Sequence, residues 1–303
     1  MPRSIDETHI GPSQFPHNPY DETTEIWKRQ SLAYWAKEPN GTLVLFVHGW
    51  TGRALDTWTD FPGLWPDTHR GCDLLFYGYS SARPQIEANA AAFAGFLEQF
   101  MAVPEILINQ TLPHLPALHR RAFRVEQLII VAHSLGAVIV RDALLRIKEK
   151  EEKGLKIELE DRTETGRVTL LSWGKGNNSW LLNTKLVLFA PAHCGSKLAE
   201  KFSGRALARG IGLWALHSVR DLSPKCDYLV ALQQRTETAV KEGWREPFRS
   251  SRIVFPYVDD VVLNGRFPDD PLEEQPFYGK THGNVCKPSG EWPHPVKLVE
   301  NVL

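Results

Sequence analysis

Residues 128–141 read Leu-Ile-Ile-Val-Ala-His-Ser-Leu-Gly-Ala-Val-Ile-Val-Arg, and this stretch decides the fold. Its first part is a short apolar run rich in β-branched residues, which is typical of a buried strand. The run passes through Ala132-His133-Ser134-Leu135-Gly136 directly into a helix-forming stretch. A strand, a tight turn centred on serine and a helix form the context of a nucleophile elbow. The pattern therefore predicts that Ser134 exposes its hydroxyl at the tip of a strand.

Apolar runs of about six residues recur along the chain and lack polar alternation. They lie at 42–48, 73–77, 127–132, 185–190 and 252–258. Such runs are typical of strands that are covered on both faces of a parallel sheet. Helical patterns lie between them, over 86–101 and 135–150. This alternation predicts a mostly parallel central sheet with helices on both faces.

The chain has 303 residues, which suits one large α/β domain. Residues 1–25 are interpreted as a flexible N-terminal arm, and residues 26–303 as a single domain. Three segments of that domain are interpreted as inserted excursions, near 103–124, 154–184 and 197–250. We expect a hairpin in the second excursion and an apolar helix over 203–219. This helix either lines or covers an acyl pocket as a lid or belongs to the ordinary core, which is the more common role of such residues.

Composition excludes several classes of protein. Lys and Arg number 35 against 36 Asp and Glu, so the basic excess of a nucleic-acid binder is missing. No apolar run reaches the roughly 18 residues of a membrane span, and the polar N-terminus lacks a signal-peptide core. The four cysteines lie far apart, which suits a reducing compartment. We therefore expect a cytoplasmic protein.

Residue spacing also argues against metal and phosphate chemistry. The chain contains no H-E-x-x-H motif, no Cys₂His₂ motif and no clustered carboxylates at metal-ligand spacing. The Gly-Lys-Gly stretch at 174–176 does not follow the P-loop pattern. We expect neither a metal nor a cofactor.

The first apolar run ends in His48-Gly49-Trp50. A glycine here lets the backbone curl, so that the following N–H group points into a site at the strand tips. The predicted oxyanion hole consists of the Trp50 and Leu135 N–H groups, and Gly136 allows close backbone approach at the elbow. His48 itself is interpreted as a buried structural histidine.

A serine nucleophile needs a histidine base and a carboxylate that orients it. At an elbow of this type the acid and then the histidine follow the serine along the chain. The run 252–258 ends in Asp259-Asp260-Val261-Val262, which favours Asp259 as the acid, with Asp260 as the alternative. Among the later histidines, His282 lies in a loop rich in glycine and is the favoured base, with His193 as the alternative.

Other histidines and nucleophiles are less well supported. His133 is adjacent to Ser134 and points the wrong way to act as its base, while His217 lies in the predicted lid and His294 precedes a C-terminal helix. A second elbow-like stretch, Gly78-Tyr-Ser80-Ser81-Ala82, lacks the second glycine. Cys194 and Cys286 each lie near a histidine, but no elbow presents them, and inert buried cysteine is the usual case.

Three blocks of sequence resemble the α/β-hydrolases of the lipase-like serine esterase type, related to the GPI inositol-deacylase-like proteins. The blocks are Phe46-Val-His-Gly-Trp50 with Asp56-Thr-Trp-Thr59, the elbow, and Phe189-Ala-Pro-Ala-His-Cys-Gly-Ser196. Two positions depart from that family: Ala132 replaces the first elbow glycine, and Ala190-Pro191-Ala192 stands where Gly-Thr-Pro is favoured. These departures leave the subfamily and its substrate open.

The resemblance implies a triad of Ser134, Asp259 and His282 that cleaves carboxylic esters, often lipid-like ones, through an acyl-enzyme. The expected partner is therefore a small-molecule or lipid-like ester, with peripheral membrane contact for the latter, and no nucleic acid. Thioesters and amides are variants of the same acyl transfer. The alternative from another class is a catalytically idle hydrolase fold that serves as a binding module.

Overall fold

The computed structural model describes the chain over ranges that include every predicted apolar run. These ranges are 5–10, 31–36, 38–81, 85–102, 125–154, 158–162, 168–172, 179–197, 222–272 and 276–303. The excursion at 103–124 and the predicted lid at 203–219 lie outside the described residues, as does His217. Side chains are not described for 5–10, 158–162, 168–172 and residue 179.

Seven strands of the described residues form one mixed sheet in the order β1-β2-β4-β3-β5-β8-β9. Their bounds are β1 Ile5–Ile10, β2 Ser31–Ala36, β3 Thr42–Val47, β4 Asp73–Tyr77, β5 Gln127–His133, β8 Thr184–Phe189 and β9 Arg252–Val254. The pairs from β4 to β9 are parallel, whereas β1 and β2 run antiparallel at one edge. The expected mostly parallel central sheet is confirmed.

The described helices lie in the connections between the strands, except for the last one, which follows β9. They are α1 Phe61–Leu64, α2 Ile86–Ala102, α3 Leu135–Glu152, α4 Ser179–Leu182, α5 Asp227–Lys241, α6 Arg245–Phe248 and α7 His294–Glu300, with 3₁₀ helices at Asp67–His69 and Ala192–Cys194. All six residues of β3 are buried, so both faces of this central strand are covered. Continuous burial explains why the strand reads as an unbroken apolar run.

A separate antiparallel pair, β6 Glu158–Arg162 with β7 Val168–Ser172, lies within the second excursion. The hairpin expected there is thus present. The two short strands pair with each other and form a two-stranded sheet that is separate from the seven-stranded one.

Three strands of the structure differ from what the sequence predicts. Residues Ile5–Ile10 pair with β2 as an edge strand, where a loose arm was expected over 1–25. The strand Ser31–Ala36 was not predicted, because its mixed sequence Ser-Leu-Ala-Tyr-Trp-Ala has no clear period. The run 252–258 ends its strand early at Val254, which pairs with Phe189, the last residue of β8.

Candidate active site

The parallel strands β3, β5, β8 and β9 end at the same edge of the sheet. In such sheets, the loops after the carboxyl ends of the strands form the ligand site. Here those loops begin with His48, Ser134, Ala190 and Phe255, respectively. The sequence-predicted oxyanion, nucleophile and acid segments therefore meet at one edge.

Ser134 lies at the sharp turn between β5 and α3. Its φ and ψ are 54° and −121°, a positive φ that a non-glycine residue rarely adopts. Such backbone strain costs on the order of 1–3 kcal/mol and persists only where neighbours fix it. The fixing contacts are backbone hydrogen bonds: Ser134 N–H donates to Phe189 O at 3.0 Å, and Ala192 N–H donates to Ser134 O at 3.2 Å.

Close backbone approach explains the glycine at position 136. A Cβ atom on Gly136 would lie 2.5 Å from the carbonyl oxygens of both Val47 and His48. Any side chain there would push β3 away from the start of α3. Ala132, by contrast, is fully buried within β5, and its single methyl group is accommodated in place of the usual first glycine.

The loop after β8 contributes a second strained residue. Ala190 has a φ of 43°, in the left-handed region that glycine adopts without penalty. This is the position at which the resembling family favours glycine. Its N–H donates to Val254 O at 2.7 Å, which ties the loop to β9 behind the elbow.

A continuous hydrogen-bonded chain joins the three residues predicted as a triad. Ser134 Oγ lies 2.9 Å from His282 Nε2, and His282 Nδ1 lies 2.9 Å from Asp259 Oδ2. Because a carboxylate only accepts hydrogen bonds, Nδ1 carries the proton of the neutral imidazole. Nε2 is then free to accept the Ser134 hydroxyl proton, which is the protonation state a general base requires.

The second oxygen of Asp259 is held by the chain that follows it. Oδ1 accepts the N–H groups of Val261 and Val262, both at 2.9 Å. Burial by itself would raise the pKa of Asp259, but the hydrogen bond and charge of His282, with these two N–H groups, outweigh burial and lower the pKa. The carboxylate thus stays ionised and oriented, whereas the alternative acid Asp260 is exposed.

The predicted oxyanion segment lies against the nucleophile. A Cβ atom on Gly49 would be 2.8 Å from Ser134 Cβ, so only glycine permits this approach. Leu135 is the first residue of α3, where an N–H group has no acceptor within the helix. Trp50 lines the same cavity as Ser134. Both predicted donor residues are therefore beside the serine.

Two side chains that sequence reasoning did not select fix this segment from behind. The Ser81 hydroxyl, itself fully buried, accepts the N–H of Thr51 at 2.8 Å. The Tyr79 hydroxyl donates to the carbonyl of His48 at 2.6 Å. The signal in the sequence is the elbow-like stretch 78–82 that follows β4 and contains both residues.

His48 is a buried structural histidine, as interpreted from the sequence. Its Nε2 accepts the Tyr79 N–H at 3.3 Å, so the proton resides on Nδ1, which donates to Gly49 O at 2.8 Å. The ring also stacks on Tyr79 with centroids 4.2 Å apart. Its role is to shape the glycine turn rather than to reach the serine.

The other candidates are placed elsewhere. His193 is buried, and its Nε2 lies 2.9 Å from Gly265 O, so it does not provide the base. Burial, together with the nearby Arg141 charge, lowers the pKa of His193 to about 4.

Burial raises the pKa of Cys286 to about 12, which makes it a poor nucleophile. His294 begins the C-terminal helix and contacts Trp292.

A cavity of about 410 Å³ opens beside Ser134 and His282. Its lining combines apolar and polar side chains, including Trp50, Thr51, Arg53, Asp56, Thr57, Ser196, Leu222, Val261, Val262 and Lys287. This volume suits a small organic molecule. The serine hydroxyl is thus presented to a space that a substrate can occupy.

Within the described part of the chain, no three His, Cys, Asp or Glu side chains cluster in a way that could hold a metal ion. Over the same residues, no helix combines the length and apolar character needed to span a membrane.

Comparison with family models gives no match, and comparison with curated proteins gives none either. Solved structures do match. A lipase from Bacillus licheniformis, in its mature form, aligns with a TM-score of 0.50 at 16% identity, covering 87% of this chain and 92% of that one. The propeptide form of this lipase aligns with a TM-score of 0.53 at 14% identity, covering 90% of this chain and 53% of that one.

At these identities the similarity shows the fold alone. Together with the mostly parallel sheet and its connecting helices, it establishes an α/β-hydrolase fold for this protein. The finer resemblance, to the GPI inositol-deacylase-like proteins, is not supported by a family model and stays a prediction.

Proposed function

We propose that this protein is a serine hydrolase that cleaves carboxylic esters through an acyl-enzyme intermediate. The observation that carries the proposal is the chain of two 2.9 Å hydrogen bonds from Ser134 through His282 to Asp259, at the wall of an open cavity. The α/β-hydrolase fold, whose solved relatives include a lipase, supports the same chemistry.

In the first half-reaction, Ser134 Oγ attacks the ester carbonyl carbon while His282 Nε2 accepts the hydroxyl proton. Asp259 stabilises the imidazolium that forms. The N–H groups of Leu135 and Trp50 bind the oxyanion of the tetrahedral intermediate, where the start of α3 adds its positive dipole end. The intermediate collapses, His282 protonates the departing alkoxide, and the alcohol leaves.

In the second half-reaction, water takes the place of the alcohol. His282 removes a proton from that water, which attacks the acyl-enzyme carbonyl and forms a second oxyanion in the same hole. Collapse returns the proton to Ser134 and releases the carboxylic acid. No group outside these residues and water is needed for the proton balance.

Hydrolysis of p-nitrophenyl esters, from acetate to palmitate, tests the proposal with three proteins. Ser134→Ala should lower kcat/KM by at least about 10³-fold relative to wild type. Ser80→Ala is the matched control, since this serine belongs to the rival stretch and should leave turnover unchanged. If folded wild type and Ser134→Ala hydrolyse every ester equally, the proposal is wrong.

A further inference from the structure

His133 is the last residue of β5 and the chain neighbour of Ser134. Its side chain is almost fully buried and forms part of the cavity wall. As a histidine beside the nucleophile it is not the predicted base, because adjacent residues on a strand point in different directions. Its contacts nevertheless lie within the site.

The His133 ring touches the loop that carries the base. Its Nε2 lies 2.9 Å from the backbone carbonyl oxygen of His282, 149 positions later in the chain. The two imidazole rings are tilted at 45° with centroids 4.9 Å apart. The opposite nitrogen, Nδ1, would lie 3.1 Å from a Cβ on Gly49, so the ring also packs on the oxyanion segment.

The charge state of His133 follows from these neighbours. Burial and the nearby His282 charge together lower the pKa of His133 to about 3, because they outweigh the hydrogen bond to the His282 carbonyl and the Asp259 charge, which raise it. The imidazole is therefore neutral near pH 7. Since a carbonyl can only accept, its one proton resides on Nε2 and is donated to His282 O.

Neutrality matters because His282 becomes a cation during catalysis. A second positive charge at this separation would oppose that cation. A neutral imidazole avoids the repulsion and still supplies a hydrogen-bond donor. Together with the two bonds of its own ring, the His282 residue is then held at three points: to Ser134, to Asp259 and to His133.

We infer that His133 is a positioning residue, which fixes the backbone of the base His282 relative to the serine elbow through its Nε2–H. This inference rests on the proposed ester hydrolysis. Small errors in the placement of a reacting group can lower a rate by about 100-fold. The predicted cost of losing this donor is therefore a fall in kcat of roughly 10- to 100-fold, with KM changed little.

The test compares His133→Leu with His133→Gln. Leucine fills much of the ring volume without a donor, whereas the glutamine amide can place an N–H where Nε2 lies. We expect kcat to fall in His133→Leu and to recover most of its wild-type value in His133→Gln. The rate at which a fluorophosphonate labels Ser134 should likewise be highest in the wild type, lower in His133→Gln and lowest in His133→Leu. The rescue distinguishes a hydrogen bond from a merely structural role.

His193→Leu is the matched control, because His193 is also buried and also bonds a backbone carbonyl through Nε2, at Gly265. It should lower thermal stability but keep kcat within about 3-fold of wild type. If His133→Leu loses no more activity than His193→Leu, or if glutamine and leucine at position 133 are equally impaired, the inference is overturned.

A measurement on the unchanged protein keeps the inference testable if His133→Leu does not fold. Proton–nitrogen NMR of the imidazoles should show His133 neutral, with its proton on Nε2, between pH 5 and 9. A proton on Nδ1 would overturn the inference. Suppose that the wild type hydrolyses esters, that Ser134→Ala abolishes this activity and that His133→Leu is fully active: this result refutes the positioning role of His133 alone. A wild type that hydrolyses no ester refutes the proposed function, while the NMR result still reports on the hydrogen bond from His133 to His282.

Discussion

The carboxylate of Asp259 lies 2.9 Å from Nδ1 of His282, and its other oxygen accepts two backbone N–H groups. The carboxylate is therefore fixed in one orientation and fixes the imidazole in turn. An acid so placed determines which imidazole nitrogen carries the proton, and this determines whether His282 can serve as a base toward Ser134.

Asp259→Asn should lower kcat by roughly 10³- to 10⁴-fold while leaving KM little changed, because an amide can donate to Nδ1 and so stabilise the wrong tautomer. Steady-state kinetics on a p-nitrophenyl ester measures this. Asp260→Asn is the control, since Asp260 is the exposed neighbour and the alternative acid. A larger loss in Asp260→Asn than in Asp259→Asn would reassign the acid.

Ser81→Ala removes the acceptor of the Thr51 N–H behind the oxyanion segment. We expect kcat to fall by roughly 3- to 10-fold, the size of one neutral hydrogen bond, with KM retained because the oxyanion exists only in the transition state. Ser31→Ala is the matched control: its hydroxyl accepts the Gly78 N–H at 2.9 Å, away from the cavity. Equal kcat losses in both variants would remove any special role for Ser81.

Gly136→Ala introduces a methyl group 2.5 Å from two carbonyl oxygens at the end of β3. The backbone must shift to accept it, which should lower the free energy of unfolding by about 1–3 kcal/mol and displace the elbow. Urea unfolding and ester turnover measure the two effects. Gly290→Ala meets no atom within 4 Å and should change neither. Unaltered stability and turnover in Gly136→Ala would contradict the described packing.

Arg141 and Asp270 form a buried ion pair with Nη2 2.6 Å from Oδ1. Burial alone would raise the pKa of Asp270, but the Arg141 charge and several hydrogen bonds lower it well below its ordinary value. A depressed carboxyl pKa stabilises the fold at pH values above the unfolded-state pKa near 4, and this stabilisation is lost progressively as the pH falls through that value toward the lower folded-state pKa.

Asp270→Asn should therefore lower the free energy of unfolding by about 3–5 kcal/mol at pH 7, because it leaves the Arg141 charge unpaired in the interior. The difference from wild type should shrink as the pH is lowered toward 3. Asp67→Asn, which breaks an exposed pair with Arg70, should cost less than about 1 kcal/mol at any pH. Denaturant unfolding at several pH values measures the free energy of unfolding of both variants. If the difference between wild type and Asp270→Asn grows as the pH is lowered, the predicted direction of the pH dependence is wrong.

Much of the sheet and the candidate site could be predicted because their signals are local. Ser134 was identified from one strand, one turn and one helix that are contiguous in the chain. Asp259 and His282 followed from chain order and from the strand run that precedes the acid. Ser134 lies in a segment whose structure is set by its immediate neighbours, whereas the choice of Asp259 and His282 depends on their order along the chain.

The parts that could not be predicted depend on contacts between distant segments. The bond from His133 to His282 spans 149 positions and requires the loop around His282 to fold back over the elbow. Ser81 acts on Thr51 only because β3 and β4 are neighbours in the sheet. The strand Ser31–Ala36 forms through pairing with β1 on one side and β4 on the other rather than through its own periodicity.

Labelling with a fluorophosphonate, read by intact mass and peptide mapping, tests the proposed serine chemistry most directly because it requires no knowledge of the natural substrate. The folded protein should acquire one adduct, on the peptide that contains Ser134, and Asp259→Asn should acquire it far more slowly. An adduct on another residue, or a folded protein that stays unlabelled, would contradict the assignment of Ser134 as an activated nucleophile.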